Sequence, residues 1–516
     1  MKKKFFRYFT LALTAFVVGT LAAVVLYAKQ DVIWTTLHTT FVKPAQAQTT
    51  DSDSARISPQ SIINTAIAKI KDTATAFAAP YGEPWGVKGL TMFRGNPSRT
   101  WYGTGPLPDE FAIKWKYPDT PMCAPSTVGH ETHVWCGSGW TGEPVVWERP
   151  DGSTEVIFGA YDRQVHFVDA RTGKDTRPPF PTGDIIKGSV TLDPDGYPLI
   201  YFGSRDNKLR VVALDRDTPT ELYSLDANAV QGIWNNDWDG NPIVMHDMLF
   251  EGGENGWFFA LNLNRTYGGD GKVSVKPTIA FDMPAFDAAW RAKVGDNLSI
   301  EDSVTIYKDR VYFANSGGRV LGLDISHVKD GVAPIVFDYW TGDDTDATIV
   351  AGDDGMLYVA SELEKFNERS TEVGQLMKLD PYTTGDPHLW GIPILADGMD
   401  KGGIWATPAI HGDYLYVTTH TGRLLAVDKN SGKITWEEHI GPHTWSSPVV
   451  IDDELLVATC TTGGFRKYSL ADPSHPKIES VYSLPSTSCI ESTPAVWKGN
   501  VYVGSRDGYF YSFGAK

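Results

Sequence analysis

The sequence predicts an all-β fold: an eight-bladed β-propeller of four-stranded antiparallel blades, preceded by an N-terminal transmembrane helix and a short amphipathic helix. Three observations carry the propeller. The first is the stretch 403–441, with short apolar runs at 414–417 and 424–427. An Asp-x-x-x-Gly-Lys turn follows at 428–433, and a last run ends at Trp436. Runs this short, separated by turn residues, read as antiparallel strands. One such sheet cannot bury both apolar faces alone and needs copies stacked on it. The second observation is those copies. A third-strand ending recurs at Asp169, Asp215, Asn262, Asp324, Asp380 and Asp428, and in degraded form at Ala471 and Gly514. First-strand starts recur at Pro144, Val190, Pro242, Val304, Ile349, Pro408, Pro448 and Pro494, so both series count eight units. The third is the ending. The last unit stops at Phe513, one strand short, and residues 111–117 (FAIKWKY) offer that strand, with Trp115 in the place of Trp436. A solenoid would need capping units, whereas a closed ring leaves no terminal edge.

Taken in order, residues 1–8 form a basic tail with Lys2, Lys3, Lys4 and Arg7, and residues 9–28 carry no charge. Such a run is long enough to cross a bilayer, and the basic flank places the N-terminus in the cytoplasm. The competing reading is a signal peptide cleaved at Ala45-Gln46-Ala47. Signal peptides have shorter apolar cores with the cut close behind, which favours a retained anchor in the inner membrane. No Cys precedes Cys123, which excludes a lipid-anchored lipoprotein. Residues 29–88 read as a linker holding a helix at about 59–78, where Ile62, Ile63, Ala66, Ile67, Ile70, Ala74 and Phe77 recur at helical spacing. The propeller is expected over 89–516, in the periplasm or at the cell exterior.

Composition fits an extracytoplasmic β-domain, with 50 Gly, 32 Pro and 17 Trp. The net charge is −17, from 46 basic and 63 acidic residues. An acidic surface repels phosphate backbones, so nucleic acid is not an expected partner. Four cysteines allow three pairings. Cys123 and Cys136 bracket a loop before the first blade, while Cys460 and Cys489 fall on one face at adjacent blades. The expected disulfides are therefore 123–136 and 460–489. His130 and His133, in GHETH, are too few for a metal site, and there is no Cys-x-x-Cys-His for haem.

The phrases AVDKNSGKITW (residues 426–436), VDARTGK (168–174) and STPAVWKGNVYVGSRDGYFYSF (492–513) resemble the pyrroloquinoline-quinone-type propeller repeat. The segment FRGNPSRTWYGTGPLP (93–108) is similar to the lead-in before such propellers. The resemblance implies a propeller over about 89–516. It leaves two branches open, quinoprotein dehydrogenases and non-catalytic scaffolds such as that of the outer-membrane barrel-assembly machinery.

One constellation comes from the repeat itself. The residues three places before each first-strand landmark are Thr141, Lys187, Asp239, Glu301, Asp346, Trp405, Trp445 and Glu491. Equivalent positions in a ring face one mouth of the channel. In the dehydrogenase branch, the resemblance implies calcium and the quinone PQQ at this mouth, held by acids and stacked on Trp. The sequence departs from that branch because no two cysteines are adjacent. Trp405 and Trp445, on blades six and seven, are expected to lie away from the acids of blades three to five. The mouth is thus expected to be an open, solvated acidic ring, with no catalytic residue, no metal and no cofactor. The leading expectation is a membrane-anchored scaffold binding a protein through its loop-rich face, with inserts at 264–277 and 362–374 supplying surface. A PQQ-dependent alcohol or sugar dehydrogenase is the second reading. A carbohydrate-binding propeller with Trp platforms is the third.

Overall fold

A computed structural model describes residues 81–128, 131–139, 142–461 and 463–516. The basic tail, the expected membrane span and the expected helix at 59–78 lie outside the described residues, as do Thr141 and His130.

Eight antiparallel meanders follow one another, each built as the repeat predicts. In the sixth, strands Ala409–His411, Tyr414–Thr418, Arg423–Asp428 and Ile434–His439 pair in sequence order. Both faces of the middle strands are buried, so they read as continuous apolar runs rather than alternating ones. A register shift between third and fourth strands recurs from the second blade to the eighth, bending each outer strand at the same place.

The Asp-x-x-x-Gly-Lys turn has a packing reason. Asp428 accepts hydrogen bonds from the Asn430 and Ser431 amides and the Ser431 hydroxyl, which fixes the turn. Gly432 then takes φ +70°, where a Cβ would also come within 2.7 Å of the Trp390 ring of the preceding blade. That indole donates to the Lys429 carbonyl at 3.2 Å. Trp115 repeats the arrangement across the closure: its ring lies 2.7 Å from the position of a Cβ on Gly173, and its Nε1 donates to the Ala170 carbonyl at 2.9 Å. Strand Phe111–Tyr117 completes the eighth blade by pairing with Phe510–Ala515. Trp115 faces Ser512 there as Trp436 faces Ala426, so the closing strand is in the repeat's own register.

The lead-in does more than the sequence suggests. Strand Gly89–Leu90 pairs with the first blade's inner strand, and Gly103–Thr104 pairs with the eighth blade's. Between them, backbone and side chains of this segment bond to first strands or their entries in every remaining blade. Thr91 accepts from Leu192, Phe93 donates to Asn241, Pro97 accepts from Ile306 and Ser98 from Ala351. Arg94 donates to the carbonyls of Pro408 and Pro448. Residues 89–104 therefore plug the channel and satisfy inner edges that would otherwise be unpaired.

The disulfides are Cys123–Cys136 and Cys460–Cys489. The two inserts do not share a face. Residues 264–277 join a third strand to a fourth, whereas 362–374 join a second to a third. In a meander those connections lie at opposite ends, so only the second insert borders the mouth.

Candidate functional site at the channel mouth

Fourth-to-first and second-to-third connections gather at the same end of the ring. Together they build the mouth. Glu301, Asp346, Trp405 and Trp445 line one narrow pit, with Phe93 of the plug at its side. The expectation that the two tryptophans stand apart from the acids fails, because the channel here is narrow enough for blades four to seven to meet across it. Trp405 and Trp445 lie with ring centroids 6.0 Å apart and planes 26° from parallel. Trp405 is buried, so it offers no open platform for a sugar.

Lys187 and Asp239 form an ion pair, and Lys187 Nζ also reaches Glu254 at 3.3 Å. Arg205 pairs with Asp237 at 2.7 Å. Glu491 stands apart, 3.6 Å from Arg506 and beside the Cys460–Cys489 bridge. The mouth is therefore not an open, solvated acidic ring. Its carboxyls are buried or half-buried, and cations are folded in among them.

Burial sets the electrostatics. It pushes Glu301 up to about 7 despite Lys187, with Asp239 and Asp344 adding repulsion. Burial likewise raises Asp237 to about 7, again against Lys187. Asp346 and Glu362 stand well above the ordinary carboxylate range, first through burial and next through Asp344. His420 goes the other way. Burial and His443 lower it to about 4, leaving it neutral and able to accept the Trp445 indole N–H at 3.0 Å.

Sequence reasoning missed a second ring. Two residues past the equivalent second-strand position stand Tyr161, Arg205, Glu254, Ser316, Glu362, His420, Cys460 and Arg506. Three of its members touch the first ring within the same blade, Ser316 with Glu301 at 3.4 Å, His420 with Trp405 and Arg506 with Glu491, while Glu254 of the third blade reaches Lys187 of the second. The signal was available, because second-to-third connections share the mouth with fourth-to-first ones. His133 lies elsewhere, in an exposed hairpin, with its imidazole 3.1 Å from Glu131.

The residues do not fit the quinone and calcium that the fold family implies. Free volume in the pit is about 10 Å³, close to what one water needs, against roughly 300 Å³ or more for ordinary ligand pockets. Glu301 and Asp346 have no third metal-ligating side chain clustered with them among the described residues. Asp237, Asp239 and Glu254 do cluster, but Lys187 and Arg205 already supply their positive charge.

The ring of eight four-stranded blades defines the class, an all-β propeller, and its repeats are similar to the pyrroloquinoline-quinone type. A family model described as "Outer membrane protein assembly factor BamB" matches residues 374–508. Quinohemoprotein alcohol dehydrogenase from Comamonas testosteroni superposes with a TM-score of 0.52 at 15% identity, over 88% of this chain and 84% of that one. BamB from Moraxella catarrhalis matches at a TM-score of 0.38 and 12% identity, over 79% of this chain and 98% of that one. The computationally designed Ika8 protein matches at 0.49 and 10%, over 72% and 95%. No curated protein matches the chain. At these identities the dehydrogenase likeness speaks for the fold alone.

Proposed function

We propose that this chain is a membrane-anchored, extracytoplasmic scaffold that binds another protein at the mouth face and performs no chemistry of its own. The observation that carries this reading is the rim. Trp234 is 62% exposed and Phe366 53% exposed, and each sits at a left-handed backbone position, φ 81° and 51°. Large apolar groups held out at strained positions are expensive to keep, and such positions concentrate at binding sites. Both belong to mouth connections: Asn235, next to Trp234, donates to Glu254 at 2.8 Å, and the Phe366 amide donates to Asp343 at 3.0 Å. Leu395, on the connection that also holds Trp405, adds a third exposed apolar side chain. The near-absence of free volume in the pit supports a non-enzymatic role without PQQ or calcium. The acidic surface supports a protein partner rather than nucleic acid. The uncharged run at 9–28 supports the anchor.

The test is crosslinking of the full-length chain in its own membranes, followed by identification of the captured partner. Trp234→Ser with Phe366→Ser is expected to abolish one specific adduct while leaving the melting temperature unchanged. An adduct pattern indifferent to both substitutions would remove the mouth face from consideration. Retention of residues 1–47 in the mature protein, read by mass spectrometry, checks the anchor separately.

A further inference from the structure

At the end of the ring away from the mouth, third-to-fourth turns are tied to the neighbouring blade. Arg310 of blade four donates to the Pro381 carbonyl of blade five at 2.7 Å. Lys429 of blade six pairs with Asp353 of blade five at 2.8 Å. Tyr416 of blade six donates to the Pro473 carbonyl of blade seven at 2.8 Å. Tyr502 of blade eight holds the same repeat position as Tyr416, since each faces the alanine of its first strand, Ala495 and Ala409. Among the described residues, no hydrogen bond joins Tyr502 to blade one's turn. Instead Tyr502 and the turn residues Asp169 and Arg171 line a recess of about 730 Å³. Lys498 pairs with Glu148, and Trp115 donates to the Ala170 carbonyl at 2.9 Å, which holds the two blades together without filling it.

The recess has the size of an ordinary ligand pocket, roughly 300–1,000 Å³. Its buried wall is aromatic, from Trp497 and Tyr502. Its exposed margin is cationic, with Lys114 from the closing strand, Arg171 from blade one's turn and Lys498 from blade eight's hairpin. The two carboxylates in the wall are already engaged. Glu148 pairs with Lys498 and with Lys88. Asp169 accepts from the amide and hydroxyl of Thr172 in its own turn, at 2.8 and 2.6 Å. Lys114 donates to the Ala515 carbonyl. Lys114 and Arg171 thus have no carboxylate partner among the described residues, in a chain of net charge −17. Water would satisfy two such cations on a flat surface. Here they stand on different elements around one ligand-sized opening with an aromatic wall.

We propose that this recess binds a small organic dicarboxylate, one carboxylate at Arg171, the other at Lys114, and the carbon skeleton against Tyr502 and Trp497. Two unanswered cations match two negative charges, and a guanidinium takes a carboxylate with two parallel hydrogen bonds. Inorganic phosphate would use the cations and leave the aromatic wall bare. A neutral sugar would leave the cations unanswered, and a metal ion would be repelled by them. Such a ligand ties the closing strand to blade one, so it binds the closed ring in preference to the unfolded chain and stabilises it. The site lies at the opposite end of the ring from the mouth, and the proposal does not depend on partner binding there.

Calorimetry and thermal melting of the detergent-solubilised full-length chain, at physiological ionic strength, test it. The probes are succinate, adipate and phthalate, with butyrate, succinamide, inorganic phosphate and a blocked tetraglutamate peptide for comparison. At least one of the dicarboxylates is expected to bind saturably in the millimolar range or better, and to raise the melting temperature as it saturates. Butyrate, with a single carboxylate, should bind about tenfold more weakly than that dicarboxylate, and succinamide should give no heat. Arg171→Gln and Lys114→Gln remove exposed side chains that pair with no carboxylate, so the melting temperature without ligand should stay as it is. Each should weaken the dicarboxylate about tenfold, and Arg171→Lys should restore part of the loss. No saturable binding by any dicarboxylate would overturn the inference. So would phosphate binding as tightly, binding confined to the peptide, or indifference to both glutamine variants.

Discussion

The channel interior and the channel mouth both bury charge, and the comparison shows that cations and carboxylates fare differently. In the interior, Arg99 is fully buried, yet it makes five hydrogen bonds of 2.7–3.0 Å, to Val304, Phe93 and Asn241. Arg94 reaches two carbonyls at 2.7 Å and lies 4.3 Å over the Tyr102 ring. At the mouth, Glu362 is nearly as buried, and one of its oxygens meets no donor. The difference follows from what each region offers. Eight inner strands enter the channel with free carbonyls, so a cation there is satisfied by the fold itself. Carboxylates need donors that the ring does not supply, at the mouth as at the fully buried Glu251, neither of whose oxygens has a hydrogen-bond partner.

The largest test of this contrast is removal of the plug with the closing strand. A chain beginning after Pro118 loses Gly89–Leu90, Gly103–Thr104 and Phe111–Tyr117 and leaves the strands they pair with open. It is expected to aggregate through the exposed edge of the eighth blade, and size-exclusion chromatography reads the outcome. A monomeric truncated chain with unchanged melting would mean that the plug fills the channel without supporting it.

Next in size is Arg99→Met. It strands five acceptor contacts in the interior and removes a buried countercharge, at a cost of about 3–5 kcal/mol in urea unfolding. Cys460→Ser with Cys489→Ser follows, at about 2–4 kcal/mol under oxidising conditions. That bridge ties two mouth connections of adjacent blades, so the variant asks how much of the mouth is held covalently rather than by polar pairing. Four free thiols by peptide mapping of the wild-type chain would contradict both bridges.

The smallest effect belongs to Glu301→Gln, and its sign is the informative part. Folded Glu301 holds its proton up to about 7, against 4.5 for an ordinary glutamate. The folded state therefore binds more protons than the unfolded chain between those values, and stability falls as pH rises through that window. The variant should flatten that part of the melting-temperature profile and equal or exceed the wild type above pH 7. A profile unchanged by the substitution would place Glu301 in ordinary water.

Eight repeats, their length and the missing eighth strand were legible in the sequence because blade packing imposes a strict local pattern. Even Trp115 could be matched to Trp436, since both must dock on the next blade's turn. The first ring of mouth residues was legible for the same reason: position in a repeat is position in the ring. The second ring, with Glu254, Glu362 and His420, is encoded just as regularly but shows only when topology places second-to-third connections at that mouth.

Other features had no local signature. That Trp405 and Trp445 meet Glu301 and Asp346 depends on the width of the channel, which eight blades and the plug set jointly. That residues 93–108 enter the ring rather than lie outside it depends on inner-strand carbonyls contributed by every blade, spread over some four hundred residues of chain. By itself the sequence determined the repeat, the closure and the disulfide pairing, because each follows from neighbours along the chain or from equivalence between repeats. Only the tertiary structure decided which charges are satisfied, because a buried group's partners come from wherever the fold delivers a donor or an acceptor.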